Sequence, residues 1–153
     1  MKKSISMLIG GLMLVSLCGC VASMVAEQAA NQVAPPTVEK FSFDQSTPGT
    51  DTGTLMVETR QPTYRLAVSN YAIKIDSNAP LVVATQSDVT IKLNAGPHSA
   101  KFYVTSSDPS QSEKVTYGQS STKDIVITKD QELKLKYTGP YLYLASGSIE
   151  EMQ

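Results

Sequence analysis

The sequence of 153 residues has no tryptophan, one histidine (His98) and two cysteines, Cys18 and Cys20. A zinc or copper site built from several histidines and cysteines is therefore not expected, apart from the close spacing of the two cysteines themselves. A catalytic dyad or triad that uses histidine as its base is restricted to one position. The chain thus offers few of the side chains on which hydrolases and metalloproteins depend.

Neither sign of charge is in excess, because 13 lysine and arginine residues stand against 14 aspartate and glutamate residues. Proteins that bind nucleic acid carry a basic footprint, and proteins held electrostatically at anionic membranes carry a polybasic patch. This composition has neither. We therefore expect no nucleic acid partner.

The sequence also lacks a long hydrophobic run. Its main apolar stretch, Ile5–Leu17, follows Lys2 and Lys3 and is interrupted by Gly10 and Gly11. A membrane-spanning helix needs about 20 apolar residues, whereas a basic head, a short apolar core and then small residues are typical of a secretory signal. We predict such a signal, and a retained anchor helix is the less favoured alternative.

The end of this stretch, Leu17-Cys18-Gly19-Cys20, resembles the lipobox of bacterial lipoproteins. In that family the signal is cut before a cysteine whose thiol then carries a diacylglycerol. The resemblance implies that residues 1–19 are a signal peptide recognised through Leu17, Cys18 and Gly19. It also implies that Cys20 bears covalent lipid, with palmitate among its acyl chains, and that no other cofactor is needed. The alternative is an ordinary cleaved signal followed by an incidental cysteine.

Two consequences follow from this resemblance. Cys18 stands where the family usually has alanine, serine or threonine, and it would leave with the signal, so neither a disulfide nor a metal clip is implied. Val21 occupies the position at which an aspartate tends to retain lipoproteins in the inner membrane of Gram-negative cells. The resemblance therefore implies anchoring in the outer membrane, on its periplasmic face or at the cell surface, and in the cell membrane of a Gram-positive host.

Residues 20–52 are predicted to be the lipid anchor and a tether. An alanine- and glutamine-rich start contains good helix formers, and Pro35 and Pro36 end that pattern before a segment rich in threonine, serine, proline and glycine. This composition favours a flexible or partly helical tether. Phe41 and Phe43 alternate with polar residues, which leaves open a second interpretation in which they lie on a first edge strand of the domain.

Residues 53–153 alternate between apolar and polar side chains, which is the period of half-buried strands. Turn-forming residues separate the alternating segments, so the pattern predicts an all-β domain, a small antiparallel β-sandwich of seven or eight strands, with a small barrel as the alternative. Gly139 and Pro140 are predicted to close a final hairpin, and the polar tail after Ser146 is predicted to fray. The predicted strands are Thr54–Arg60, Tyr64–Val68, Tyr71–Asp76, Val89–Leu93, His98–Val104, Asp124–Thr128, Glu132–Tyr137 and Tyr141–Ser146.

About a third of the chain resembles the small PEGA-type domains and related uncharacterised lipoprotein β-domains of the outer membrane. The positions that carry this resemblance are Asp76, Leu93, Gly96 and His98. Ser77 replaces the glycine that usually follows the aspartate, and Pro97 stands between the glycine and the histidine. The resemblance implies a fold, and it implies no chemistry.

The sequence has no pattern typical of a catalytic or metal site. His98 lies between Pro97 and Ser99, outside any nucleophile elbow, and we expect it to support the strand that follows. The carboxylates are scattered, with no spacing that would pair two of them for glycoside chemistry. The acidic loop from Asp108 to Glu113 lacks the glycine and the full ligand series of a calcium loop. We therefore expect neither an enzyme nor a metal site.

The segment Tyr141-Leu142-Tyr143-Leu144 is the candidate partner-binding site, because its predicted strand has apolar groups on both faces. At an exposed sheet edge such a strand could recruit a partner strand through its backbone. We therefore predict a non-enzymatic accessory or assembly lipoprotein of the cell envelope, similar to pilotins, that is membrane-anchored and binds an envelope protein. A glycan- or peptidoglycan-binding module is the first alternative, and an envelope hydrolase is the second.

Overall fold

A computed structural model describes residues 37–62, 70–142 and 144–153, and they belong to one compact unit that runs from Thr37 to Gln153. The predicted signal peptide, the lipobox and the predicted tether up to residue 36 lie outside the described residues. The predicted strand Tyr64–Val68 also lies outside them, as does Tyr143. The fold below is therefore that of the described residues alone.

Nine strands and one short 3-10 helix, Pro109–Gln111, form in the described residues. The strands are β1 (Glu39–Asp44), β2 (Thr52–Arg60), β3 (Asn70–Ile75), β4 (Leu81–Val83), β5 (Ser87–Asn94), β6 (Gly96–Thr105), β7 (Tyr117–Ile127), β8 (Glu132–Thr138) and β9 (Ser148–Met152). Apart from Tyr64–Val68, which is not described, each strand predicted between Thr54 and Tyr137 matches one of these strands. The three-residue β4 is too short to show an alternation in the sequence.

Two sheets pack face to face, and this confirms the predicted all-β sandwich. One sheet has the order β1-β5-β2-β8-β9, and the other has the order β4-β3-β6-β7. Most neighbours are antiparallel, but β1 runs parallel to β5 and β8 runs parallel to β2. The parallel pair β2 and β8 arises because the turn after β7 carries the chain across to the other sheet, where β8 adds beside β2 without a hairpin.

The alternation along the strands places one row of apolar side chains from each sheet in a common core. Leu55 and Val57 of β2 are buried on the inner face, while the residues between them are only partly covered. Three aromatic rings join the sheets at the centre, since the Tyr137 ring lies 5.1 Å from those of Tyr71 and Phe102. Such ring pairs add stabilisation beyond the area they bury. The sheets therefore share a single hydrophobic core.

The strand β1 lies within the segment that sequence analysis assigned to the tether. Phe41 and Phe43 pack against the core from the edge of the five-stranded sheet, and their rings stack 6.2 Å apart. The second interpretation of these phenylalanines, an edge strand, is therefore the one found. The folded unit begins at Thr37 rather than at residue 53. The two rings add apolar surface to the core, although the polar residues around them gave the segment the composition of a tether.

The predicted last strand, Tyr141–Ser146, is wrong in its described residues. They form part of a nine-residue connection between β8 and β9, with only an isolated bridge at Ser146. The final strand is instead β9, in the tail that we predicted to fray, and it pairs with β8 in antiparallel register. Glu150 and Glu151 made this strand look like a solvated tail, yet charges are common on an edge strand that pairs on one side only.

The two ends of the sandwich differ in the connections between strands that lie there. We call the end at which the chain enters β1 the proximal end; the connections 106–116 and 139–147 also lie there. The opposite, distal end carries the turns 76–80, 94–96 and 128–131. The Glu39 amide donates a 2.9 Å hydrogen bond to the Gln86 carbonyl at the proximal end, which fixes where the chain joins the sheet.

Candidate functional site

The connection 139–147 begins on a tightly packed base. Gly139 and Pro140 are buried, and the Gly139 amide donates to the Arg60 carbonyl at 3.2 Å. A side chain at Gly139 would collide with the ring of Tyr71, which lies directly against it. The Tyr71 hydroxyl in turn donates to the Arg60 carbonyl at 3.1 Å. The first residues of the connection are therefore held against the core.

The second half of the connection is fixed to β7. The Gln119 amide donates to the Ala145 carbonyl at 2.9 Å, and the Ser121 hydroxyl donates to the Gly147 carbonyl at 2.7 Å. Gly118 has a positive φ of 68° and lies against Pro140, where a side chain would have no room. Both halves of the connection are thus pinned, and only its middle projects from the sandwich.

That middle portion is apolar and exposed. The exposed fractions are 62% for Tyr141, 69% for Leu142 and 77% for Leu144; we call these three residues the apolar tip. The Ala145 amide donates to the Leu142 carbonyl at 3.0 Å, which closes a turn beneath them. The described residues of this segment belong to no strand, so they do not form the exposed sheet edge on which backbone pairing with a partner strand was predicted to depend.

A second cluster forms at the distal end, where the structure brings Asp76 and His98 together. The His98 Nδ1 atom lies 2.7 Å from the Asp76 Oδ2 atom, and Nε2 lies 2.9 Å from the Asn94 carbonyl oxygen. The Ser99 amide donates to the Asp76 Oδ1 atom at 2.8 Å. Asp76 itself has a positive φ of 53°, a conformation that aspartate tolerates better than most residues. The cluster joins the turn after β3 to the start of β6.

These contacts favour the protonated ring. The Asn94 carbonyl can only accept, so Nε2 carries a proton, and in the protonated ring Nδ1 donates to the Asp76 carboxylate. Burial disfavours the charged ring, but the hydrogen bonds to Asp76 and Asn94 outweigh it and raise the pKa of His98 above its ordinary 6.5. Burial likewise opposes ionisation of Asp76, yet hydrogen bonds from His98 and Ser99 lower its pKa below 3.8. With both nitrogens engaged, the ring supports β6, as expected from the sequence.

This pair predicts a pH dependence of stability. Because its pKa is raised in the folded state, His98 stabilises the fold fully below pH 6.5, and this stabilisation is lost as the pH rises through the pKa of His98 in the folded protein. Because its pKa is lowered in the folded state, Asp76 stabilises the fold above pH 3.8, and this stabilisation is lost as the pH falls through the pKa of Asp76 in the folded protein. We expect the free energy of unfolding to fall by about 0.2–1 kcal/mol between pH 6 and pH 8.5, as for a partly exposed pair. Urea unfolding at several pH values measures this.

The matched variant is His98→Gln, which keeps a hydrogen-bonding side chain and removes the only imidazole in the chain. Its stability should be nearly flat between pH 6 and pH 8.5. If the free energy of unfolding falls with pH as steeply in the variant as in the parent, His98 is not the group that causes the pH dependence.

The outer face of the five-stranded sheet brings together two carboxylates whose pairing the sequence does not reveal. Glu58 and Asp88 are direct neighbours on β2 and β5. The Arg60 guanidinium bridges them, at 2.7 Å from Glu58 and 3.1 Å from Asp88. A shallow depression of about 160 Å³ beside them is lined by Met56 and Met152, among others. Because the guanidinium binds both carboxylates, the pair is arranged as an ion network rather than as an acid and a base.

The described residues show neither a metal-binding cluster nor a membrane-spanning helix. Over the described ranges, no three histidine, cysteine, aspartate or glutamate side chains are grouped closely enough to hold a metal ion. Nor does that part of the chain contain a helix with the length and apolar character needed to cross a bilayer.

No family model, curated protein or solved structure matches this chain. The predicted lipidation site Cys20 and its recognition residues Leu17, Cys18 and Gly19 lie outside the described residues. The predicted partner-binding residues Tyr141, Leu142 and Leu144 are brought together on the apolar tip, and the fourth, Tyr143, is not described.

Proposed function

We propose that this chain is a non-enzymatic, lipid-anchored accessory or assembly module of the outer membrane that contacts a second envelope component with its apolar tip. The observation that carries the proposal is the tip itself. Three large side chains, each more than 60% exposed, project from a connection whose two halves are fixed to the sandwich. Groups presented in this way suit a contact surface better than a passive turn.

Physical chemistry favours a contact at this position. Connections at the surface of a domain are usually polar, whereas residues 139–147 contain no charged residue at all. Removing apolar surface from water stabilises a complex by about 25 cal/mol per Å², and an uncharged segment loses no ionic hydration when it is covered. The pinned base also reduces the conformational freedom that binding would have to remove.

Two further observations support the remaining parts of the proposal. The lipobox resemblance at Leu17–Cys20 supports lipid anchoring, and Val21 supports the outer membrane as the destination. The arrangement of His98, with both ring nitrogens hydrogen-bonded, favours a structural role over that of a general base. The Arg60 bridge between the two nearest carboxylates favours the same conclusion.

The test is photo-crosslinking in living Gram-negative cells that make the full chain. A photoreactive phenylalanine analogue at Tyr141 should give discrete adducts with an envelope component. The same analogue at Val126, which is 68% exposed at the distal end, is the matched control and should give only background. Equal, diffuse labelling from both positions would contradict a contact role for the tip.

A further inference from the structure

We propose that the component contacted by the apolar tip is the bilayer itself, with Tyr141, Leu142 and Leu144 lying at the lipid–water interface of the membrane that the acyl anchor enters. The inference rests on the proposed function, because it takes Cys20 to be acylated. It adds an occupant and an orientation: the proximal end of the sandwich faces the membrane and the distal end faces away from it.

Exposed apolar groups are concentrated at one end of the described fold. Val38 precedes β1 and Val115 precedes β7, and both are exposed at the proximal end together with the apolar tip. Of the large hydrophobic side chains that are exposed in the described residues, Val126 alone lies at the distal end. A flat, extended partner such as a bilayer can cover several separate groups at one end of a domain at once.

The chain reaches the fold at that same end. The strand β1 begins there, three positions from β8 in the sheet, which places the start of β1 about 14 Å from the strand that leads into the tip. Residues 21–36 separate Cys20 from Thr37, and a chain of 16 residues spans at most about 58 Å. Within the described fold, the distal end lies about 30 Å from the end at which the chain enters, the length of a nine-residue strand such as β2.

The chemistry of the tip suits an interface between lipid and water. Tyrosine buries its ring and keeps its hydroxyl hydrated, which is why it is enriched at the headgroup level of membranes. Leucine contributes apolar area without a charge that would resist transfer. The diacylglycerol implied for Cys20 supplies the anchor, and an apolar contact at the same end of the domain would add to it. The tip and the start of β1 lie at the same end of the domain. A membrane contact requires this arrangement, whereas a contact with a protein partner does not, so the arrangement favours the bilayer.

The experiment places a fluorescent label on the full, lipidated chain in phosphatidylcholine vesicles. Leu142→Cys and Leu144→Cys carry an environment-sensitive fluorophore, and Val126→Cys is the control, since Val126 and Leu142 are almost equally exposed. An acylated Cys20 thioether takes no label. Nitroxide groups on the lipid should quench the two tip labels at least threefold more than the label at Val126. Aqueous iodide should instead quench the label at Val126 more than the two tip labels.

Since all three positions are exposed, the labelled variants should unfold at the same temperature as the parent. Tip labels that iodide quenches as strongly as the label at Val126 would overturn the inference. The proposed function would survive that result if the crosslinker at Tyr141 traps an envelope protein. An N-terminal peptide without acyl mass would instead remove the proposed function, and the inference with it.

Discussion

Phe102→Ala is expected to lower the free energy of unfolding by about 3–5 kcal/mol. Phe102 is fully buried on β6, and its ring lies 5.1 Å from that of Tyr137 in the opposite sheet. Removing it opens a cavity between two hydrogen-bonded sheets, which cannot close around the loss because each strand is held by its neighbours. Since the chain has no tryptophan, urea unfolding followed by far-UV circular dichroism is the suitable measurement.

Phe41→Ala is the control for this prediction. Phe41 lies on the edge strand β1 and is only partly buried, so the same change of side chain should cost clearly less. If both variants lose the same stability, the centre of the core does not lie between β6 and β8.

Cys20→Ser is expected to abolish acylation of the chain. In cells supplied with labelled palmitate, the parent should incorporate the label and begin at Cys20, whereas the variant should incorporate none and remain uncut between Gly19 and residue 20. The reason is that a thioether requires the sulfur, and a hydroxyl cannot replace it. Mass spectrometry of the N-terminal peptide gives the second readout.

The matched control is Cys18→Ser, which changes the other cysteine. Serine is common at that position of the lipobox, so both acylation and cleavage should persist. Loss of palmitate in both variants, or its absence from the parent, would contradict anchoring through Cys20.

The strands that could be predicted are those that bury one face. In β3 and β5, apolar residues such as Ile75 and Ile91 alternate with polar neighbours, and this period can be read from the local sequence. The two sheets followed from the number and spacing of such segments. The pairing of β1 with β5 could not be predicted, because parallel neighbours far apart in the sequence leave no turn between them to read.

The end of the chain shows why pattern alone misleads there. Tyr141 and Leu142 have the side chains of a strand, but Gly139 lies against Tyr71 and Pro140 lies against Gly118, and the chain leaves the sheet there. The tip residues are therefore apolar but exposed. Local sequence pattern and fold disagree in this way mainly at functional sites, of which a contact surface is one kind. The strand β9 shows the reverse, since it is polar and yet paired.

The distal cluster was only half predictable. The sequence assigned His98 a supporting role and marked Asp76 as a position of interest, but 22 residues separate them and no local rule joins them. The left-handed conformation of Asp76 at the end of β3 is what turns its carboxylate toward the ring. In the same way, the register of β2 against β5, rather than any spacing, places Glu58 beside Asp88.

The position of β1 has a mechanical consequence. Consider a pull on the N-terminal end of β1 along the axis of that strand, opposite to the direction in which the strand runs. The register with β5 extends over six residues, from Glu39 to Asp44, so the ladder is loaded in shear and its hydrogen bonds share the force instead of breaking one after another. The edge strand β1 is thereby oriented to resist separation from the sheet under such a pull.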